Sequence, residues 1–177
     1  MTHPTDIHTG VTDAEADELT RHATDRRVLE CGSWHGFSSV VMGRVAAHVD
    51  AVDWHHGDPH AGIQDTEAVM RGNLVRYGVE DRVTVHVGRF EDVLPTMGGG
   101  YDVVFVDGMH DAASVSRDLS LVERLVRPGG YLLLHDYDVP VGWGFEVRET
   151  VDAWLAQRPD WTHERTVEKL AVVRRSR

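Results

Sequence analysis

Between residues 28 and 38 the chain reads Val-Leu-Glu-Cys-Gly-Ser-Trp-His-Gly-Phe-Ser, an apolar run leading into two glycines four positions apart. Val28–Gly32 suits a buried strand, and Phe37–Ala47 suits a helix, with Val41, Val45 and His48 recurring near one face. The turn between them has to be sharp and to let its backbone come close to a ligand, which glycine does at low steric cost. In an open α/β sheet, ligands bind in the crevice beyond the carboxyl ends of the strands. The start of the following helix adds unpaired N–H groups. Glu30, two positions before Gly32, suits a cationic or hydroxyl group and would repel a phosphate. Taken alone, the stretch is also compatible with an ordinary strand-turn-helix connection.

The rest of the chain repeats this alternation. Residues 1–10 are polar, and Thr12 with Glu15 has capping-box spacing for a helix to about His22. Val49–Trp54 reads as a second strand, followed by a polar loop over His55–Ile63. Met70, Leu74 and Tyr77 predict a helix over Asp65–Tyr77, stopped by Gly78. Val83–Gly88 alternates as a third strand, and a short helix at Glu91–Met97 precedes Gly98-Gly99-Gly100. Tyr101–Asp107 is almost continuously apolar, the pattern of a strand buried on both faces. Val115, Leu119, Val122 and Val126 mark a helix ended by Pro128-Gly129-Gly130, and Tyr131–Tyr137 is a fifth strand. Val147, Val151 and Trp154 mark a last helix, before a closing hairpin of Trp161–Val167 and Lys169–Arg174. The expectation is an α/β parallel sheet covered by helices on both sides, one domain over 1–177 with 1–25 as an N-terminal polar segment and helix.

Charge and cysteine content narrow the function classes. Eighteen basic against 29 acidic residues give a net charge of −11, which argues against a large nucleic-acid footprint or an anionic membrane surface. Cys31 is the only cysteine, so no internal disulfide or Cys-x-x-Cys metal site is available and a reducing, cytoplasmic setting fits. No signal peptide is legible in residues 1–11, and no apolar run is long enough to span a membrane.

Three predicted strand ends fall on one edge of the sheet: the glycine turn, Asp53 and Asp107. Asp53 lies 21 positions beyond Gly32, the placement of an acid that takes ribose hydroxyls. An adenosine-containing cofactor follows. Gly32-Ser-Trp-His-Gly36 lacks the Gly-x-Gly-x-x-Gly of dinucleotide binding, and no phosphate-binding P-loop is present. An acid before Gly-x-x-x-Gly suits S-adenosylmethionine instead, whose amino acid end is zwitterionic.

The segments Glu30–Ser38, Val52-Asp53, Phe105–His110, Asp118, Leu125–Gly130 and Leu134–Tyr137 together resemble the class I S-adenosylmethionine-dependent methyltransferases, in the small-molecule O-methyltransferase group of macrolide-sugar O-methyltransferases and cephalosporin-hydroxylase-like proteins. The resemblance spans roughly residues 26–175. It implies a Rossmann-like three-layer sandwich with a seven-stranded, mostly parallel sheet in the order 3-2-1-4-5-7-6, the last strand antiparallel. It places Gly32, Gly36 and Ser38 at the methionine end of the cofactor with Glu30 at the same loop, Asp53 at the ribose hydroxyls, and Gly88, Arg89 and Phe90 around the adenine, with Ser33, Trp54 and Asp107 as further cofactor-binding candidates.

The resemblance also implies the chemistry. Methyl transfer to a hydroxyl is an in-line displacement at the sulfonium carbon, so the acceptor must be aligned and lose a proton. In the resembling sugar O-methyltransferases an Asp after the fourth strand binds a divalent metal, and a His three positions later is the base. Asp107 and His110 match that spacing. Asp136 matches one member of the acidic pair expected after the fifth strand, while His135 stands where the other acid belongs. Magnesium prefers oxygen ligands, so either His135 points elsewhere, or the metal is Mn²⁺ or another that accepts imidazole, or none is bound. Asp118 reads as a loop-fixing carboxylate, and the His55–His60 loop as a solvated lid.

The expected partner is a small-molecule acceptor, a hydroxylated sugar or natural-product intermediate. Residues 1–12, the 55–64 loop and Val139–Phe145 with Trp143 are its expected lining, and so short a lid suits a large acceptor or a site completed by a neighbouring subunit in a homo-oligomer. The rival readings are an NAD-dependent oxidoreductase, against which the glycine pattern speaks, and a non-catalytic S-adenosylmethionine-binding protein, against which Asp107, His110 and Asp136 speak.

Overall fold

Strand residues with neighbours one residue apart on opposite faces account for the architecture of the computed structural model, which describes residues 2–58, 62–140 and 142–177. Seven strands form one continuous sheet: β1 (Arg27–Cys31), β2 (His48–Asp53), β3 (Val83–Val87), β4 (Tyr101–Val106), β5 (Val126–Leu134), β6 (Trp161–Val167) and β7 (Leu170–Arg175). Their order is β3-β2-β1-β4-β5-β7-β6, as the resemblance implied. β1 to β5 are parallel to one another, with Val28 opposite Val49 on one side and Val103 on the other. β7 runs antiparallel to both β5 and β6. The helices are α1 (Asp13–Ala23), α2 (Phe37–Gly43), α3 (Glu67–Arg76), α4 (Phe90–Val93), α5 (Ala112–Val122) and α6 (Val147–Leu155).

Alternation along the strands sorts the core into two layers. Val28, Val49, Val103, Phe105 and Leu133 pack with Leu19 of α1, Val40 of α2 and Met70 of α3. Leu29, Cys31, Val104, Leu132 and Leu134 face the other way, onto Leu119 of α5 and Val151 and Trp154 of α6. This puts every parallel strand's carboxyl end on one edge.

The boundaries that differ from those read in the sequence include three with a clear physical reason. α2 stops at Gly43, because His48 is already paired with Arg27 in the sheet and the intervening residues must turn back to it. β5 begins at Val126, which pairs with Tyr101, so Pro128-Gly129-Gly130 forms an irregular stretch within a strand. A register shift between Tyr101 and Val103 absorbs it. β5 also ends at Leu134, and Asp136 beyond it takes φ +52°, a left-handed turn that few non-glycine residues adopt. In the 55–64 loop, Gly57–Asp58 and Gly62–Ile63 make a two-residue antiparallel contact. His60 of that loop and Val141 of the expected acceptor lining lie outside the described residues.

Candidate active site

A cavity of about 860 Å³ lies along the carboxyl edge. The turn after β1 contributes Gly32, Ser33 and Trp34; Asp53 and Trp54 follow β2, and Arg89 and Phe90 follow β3. β4 delivers Asp107 and His110, and β5 delivers His135 and Asp136. His8–Val11 line it from the N-terminal segment, and Lys169 reaches it from the β6–β7 turn.

The glycine turn is set by the sheet before any ligand enters. A side chain at Gly32, at φ +95°, would place its Cβ 1.9 Å from the carbonyl oxygen of Asp107. Gly36, at φ +83°, would meet the Met70 side chain at 2.9 Å. Asp53 then clamps the turn: one carboxylate oxygen accepts the backbone N–H groups of Ser33 and Trp34, each at 2.8 Å, and the other accepts that of His55 at 2.7 Å. Trp34 stacks on His35 at 4.1 Å and donates its indole N–H to Gln64 at 2.9 Å. Arg89 lies over the Trp54 ring, 4.8 Å from its centroid. Phe90 packs against Gly108, where an added Cβ would come within 2.9 Å of its ring.

Glu30, expected at the glycine loop, is not among the residues that line the cavity. It shares the strand face of Val28, so its side chain points under α2 and not into the crevice. It is 0% exposed and hydrogen-bonded by the hydroxyls of Ser38 and Ser39. Burial pushes its carboxyl up to about 8, the two hydroxyls pull it back only in part, and Asp107 and Asp53 push it further up. Ser38, expected at the methionine end, lines the cavity and is also engaged with Glu30. Asp118 on α5 is buried at the cavity wall, packed beneath Gly108 with Arg117 3.4 Å away. Burial raises its carboxyl to about 6, only partly offset by Arg117.

The opposite end of the cavity is a charged network. His110 Nε2 lies 3.0 Å from Asp136 Oδ2, and the His110 ring stacks on Phe145 at 3.9 Å and 6°. The backbone carbonyl of His110 accepts the N–H of Glu146 at 2.8 Å, which ties this loop to the start of α6. His135 faces carboxylates with both nitrogens: Nδ1 lies 3.2 Å from Asp107 and 3.3 Å from Asp136, and Nε2 lies 3.3 Å from Glu15. Burial alone would lower its pKa, but these three acids outweigh it and hold the ring as imidazolium, well above the usual range.

Glu15 is 0% exposed and accepts the backbone N–H groups of Thr12 at 2.8 Å and Lys169 at 2.9 Å. Burial would raise its carboxyl, yet His135 and these donors bring it down to about 2. Lys169 Nζ donates to Gly10 O at 2.9 Å and to Asp136 at 3.4 Å, and stands 3.4 Å from His135 Nε2. Asp136, despite its burial, is held far below the carboxylate range by His110, His135 and Lys169. The sequence reading missed Glu15 and Lys169 as site residues. Glu15 was already accounted for as half of a capping box, and Lys169 lay in a hairpin turn with no motif around it.

The same geometry tests a metal. Asp107, His110 and Asp136 offer donor atoms within 4.8 Å of one another. His135 Nδ1 lies against both carboxylates of that set. Asp136 also lies 3.4 Å from Lys169 Nζ. Two carboxylates and an imidazole are the donor types of a divalent ion that accepts mixed oxygen and nitrogen ligands.

Residues 29–137 match the family described as a methyltransferase domain. A catechol O-methyltransferase of Mycobacterium tuberculosis is 37% identical over 123 residues, 63% of this chain and 53% of that protein. The chain spans about half the length of the curated relatives it matches. Among solved structures, cofactor-bound Rv0187 from MTB superposes with a TM-score of 0.76 at 26% identity, covering 97% of this chain and 84% of that one. The O-methyltransferase TomG from Streptomyces achromogenes, solved in complex with SAM, shares the fold with a TM-score of 0.73 at 23% identity, over 98% of this chain and 83% of its own.

Proposed function

The chain belongs to the methyltransferase-domain family, and on that premise we propose that it moves a methyl group from S-adenosylmethionine to a hydroxyl of a small acceptor, with His110 as the general base. The observation that carries the reading is the His110–Asp136 pair, 3.0 Å apart on the same cavity edge as the Asp53-clamped glycine turn. A pocket that only held a cofactor would need no base there.

In this reading Gly32, Ser33, Gly36 and Ser38 border the methionine end, with the Asp107 carboxylate near its ammonium group. Asp53 offers the ribose hydroxyls the lone pairs left over from its backbone bonds, beside Trp54. Arg89 and Phe90 enclose the adenine. The acceptor oxygen attacks the methyl carbon as the carbon–sulfur bond breaks, and that electron pair stays on sulfur as the thioether of S-adenosylhomocysteine. The acceptor's proton passes to the imidazole of His110, and ionised Asp136 stabilises the imidazolium formed. Alignment of the two reactants contributes about 7–11 kcal/mol in favourable cases, and a positioned base roughly 10²–10⁴-fold.

The acceptor side is bordered by Phe145 and by Trp143, which is 65% exposed. These aromatic faces beside His110 suit a ring-shaped hydroxylated metabolite, sugar or phenol. The catechol O-methyltransferase similarity supports a small hydroxyl acceptor. The test is incubation with S-adenosylmethionine carrying a labelled methyl group and a panel of catechols, phenols and sugars, read by mass spectrometry. Label on a hydroxyl oxygen is the expected result; label only on amines or on nucleic acid overturns it.

A further inference from the structure

We propose that the N-terminal segment over residues 2–11 roofs the methionine end of the site and that His8 on it binds the carboxylate of the cofactor's amino acid end. The inference rests on the methyl-transfer reading of this site. The segment is fixed on both sides of His8. Asp6 accepts the Tyr77 hydroxyl and pairs with Arg76 at the end of α3, and Ile7 is buried in the core layer of α1 and α2. Beyond His8, the N–H of Val11 donates to Thr9 Oγ1 at 3.0 Å, and Gly10 O accepts the Lys169 ammonium at 2.9 Å. His8 itself stays exposed, borders the cavity and makes a T-shaped contact with Trp34, the centroids 4.8 Å apart.

The amino acid end of the cofactor is a zwitterion. Its ammonium has Asp107 nearby in this reading, whereas its carboxylate, once out of water, needs a donor. The side chains of the glycine turn are engaged elsewhere. The Ser33 hydroxyl donates to Met70 Sδ at 3.3 Å, the Ser38 hydroxyl to Glu30, and the Trp34 indole to Gln64 at 2.9 Å. The Ser33 and Trp34 N–H groups are held by Asp53. His35, stacked on Trp34, keeps its Nδ1 buried. Arg89 lies on Trp54 and Arg117 beside Asp118, both toward the adenine end. Among the described residues, the ring nitrogens of His8 have no hydrogen-bond partner, its contacts being the rings of Trp34 and His35. An imidazole N–H gives a carboxylate a charge-assisted hydrogen bond whether the ring is neutral or protonated. The Trp34 contact therefore holds a free donor over the turn from Gly32 to Ser38, where the amino acid end lies.

Calorimetric titration with S-adenosylhomocysteine and with its decarboxylated analogue, which keeps the adenosine and the ammonium, tests this. The wild-type protein is expected to prefer S-adenosylhomocysteine. His8→Ala loses roughly ten- to a hundredfold in affinity for it, the range of one hydrogen bond to a charged group, and binds the analogue as the wild type does. His8→Gln, which keeps a side-chain N–H, loses less than His8→Ala. His8 is exposed, so its replacement leaves the core intact, and thermal melting confirms that each variant is folded. A wild type that binds the two ligands alike, or a His8→Ala variant that loses both equally or neither, overturns the proposal and leaves the methyl-transfer reading standing. A wild type that binds neither ligand overturns that reading, and the proposal with it.

Discussion

Two glutamates, both fully removed from solvent, sit on either side of this active site in opposite protonation states. Glu30, under α2, has only the hydroxyls of Ser38 and Ser39 as partners and two further acids nearby, so burial keeps its carboxyl neutral up to about pH 8. Glu15, at the start of α1, is met by the His135 imidazolium and two backbone N–H groups, and stays ionised down to about pH 2. Equal burial gives opposite outcomes because the partner, not the exposure, decides which form is favoured. The Glu30 region is a neutral clip that holds the start of α2 against the sheet. The Glu15 region is a charged network that reaches through His135 to Asp107 and Asp136.

The comparison can be broken most severely on the charged side. Replacing His110 by Ala is expected to lower kcat by roughly 10²–10⁴-fold, with S-adenosylhomocysteine affinity by calorimetry nearly unchanged. An equal loss of both would make His110 structural. Next comes Glu15→Gln, which leaves His135 short of one anion and breaks the link to Lys169. Removing one partner of a buried pair costs about 3–5 kcal/mol, to be read in urea unfolding at pH 7. Thr12→Ala removes only the side-chain half of the capping box and should cost about 1 kcal/mol.

Glu30→Gln, an isostere of the protonated carboxyl, separates the two regions by pH. The folded pKa of Glu30 is raised above its unfolded value, so the folded state binds more protons and stability declines as pH climbs from about 4.5 to about 8. For Glu15 the folded pKa is depressed, so its contribution is present above about pH 4.5 and is lost as pH falls toward about 2. Glu30→Gln should therefore flatten the alkaline decline of Tm between pH 5 and 8 and leave the acid limb as it was. A variant that flattens the acid limb instead would mean the two states had been assigned the wrong way round.

Much of this was legible in the sequence. Strand and helix order follows from period-2 and helical apolar spacing, while the sheet order came with the family resemblance. Asp107, His110 and Asp136 were marked by position within recognisable segments, and the fold brings all three to one edge. Parity with buried Val28 was readable and puts the Glu30 side chain inside the layer. The Glu15–His135 contact bridges 120 positions and the Lys169 backbone bond to Glu15 bridges 154, so no local spacing signals either. The helical apolar series ending at Val126 failed because pairing with Tyr101 claimed that residue for the sheet.

The central claim is that the Asp53-clamped glycine turn holds a sulfur nucleotide and not a dinucleotide. Calorimetric titration with S-adenosylmethionine and S-adenosylhomocysteine, with NAD⁺ as control, tests it directly. Binding in roughly the micromolar range for both sulfur nucleotides, with none for NAD⁺, is the predicted result. Preference for NAD⁺, or no binding of either sulfur nucleotide, would contradict it.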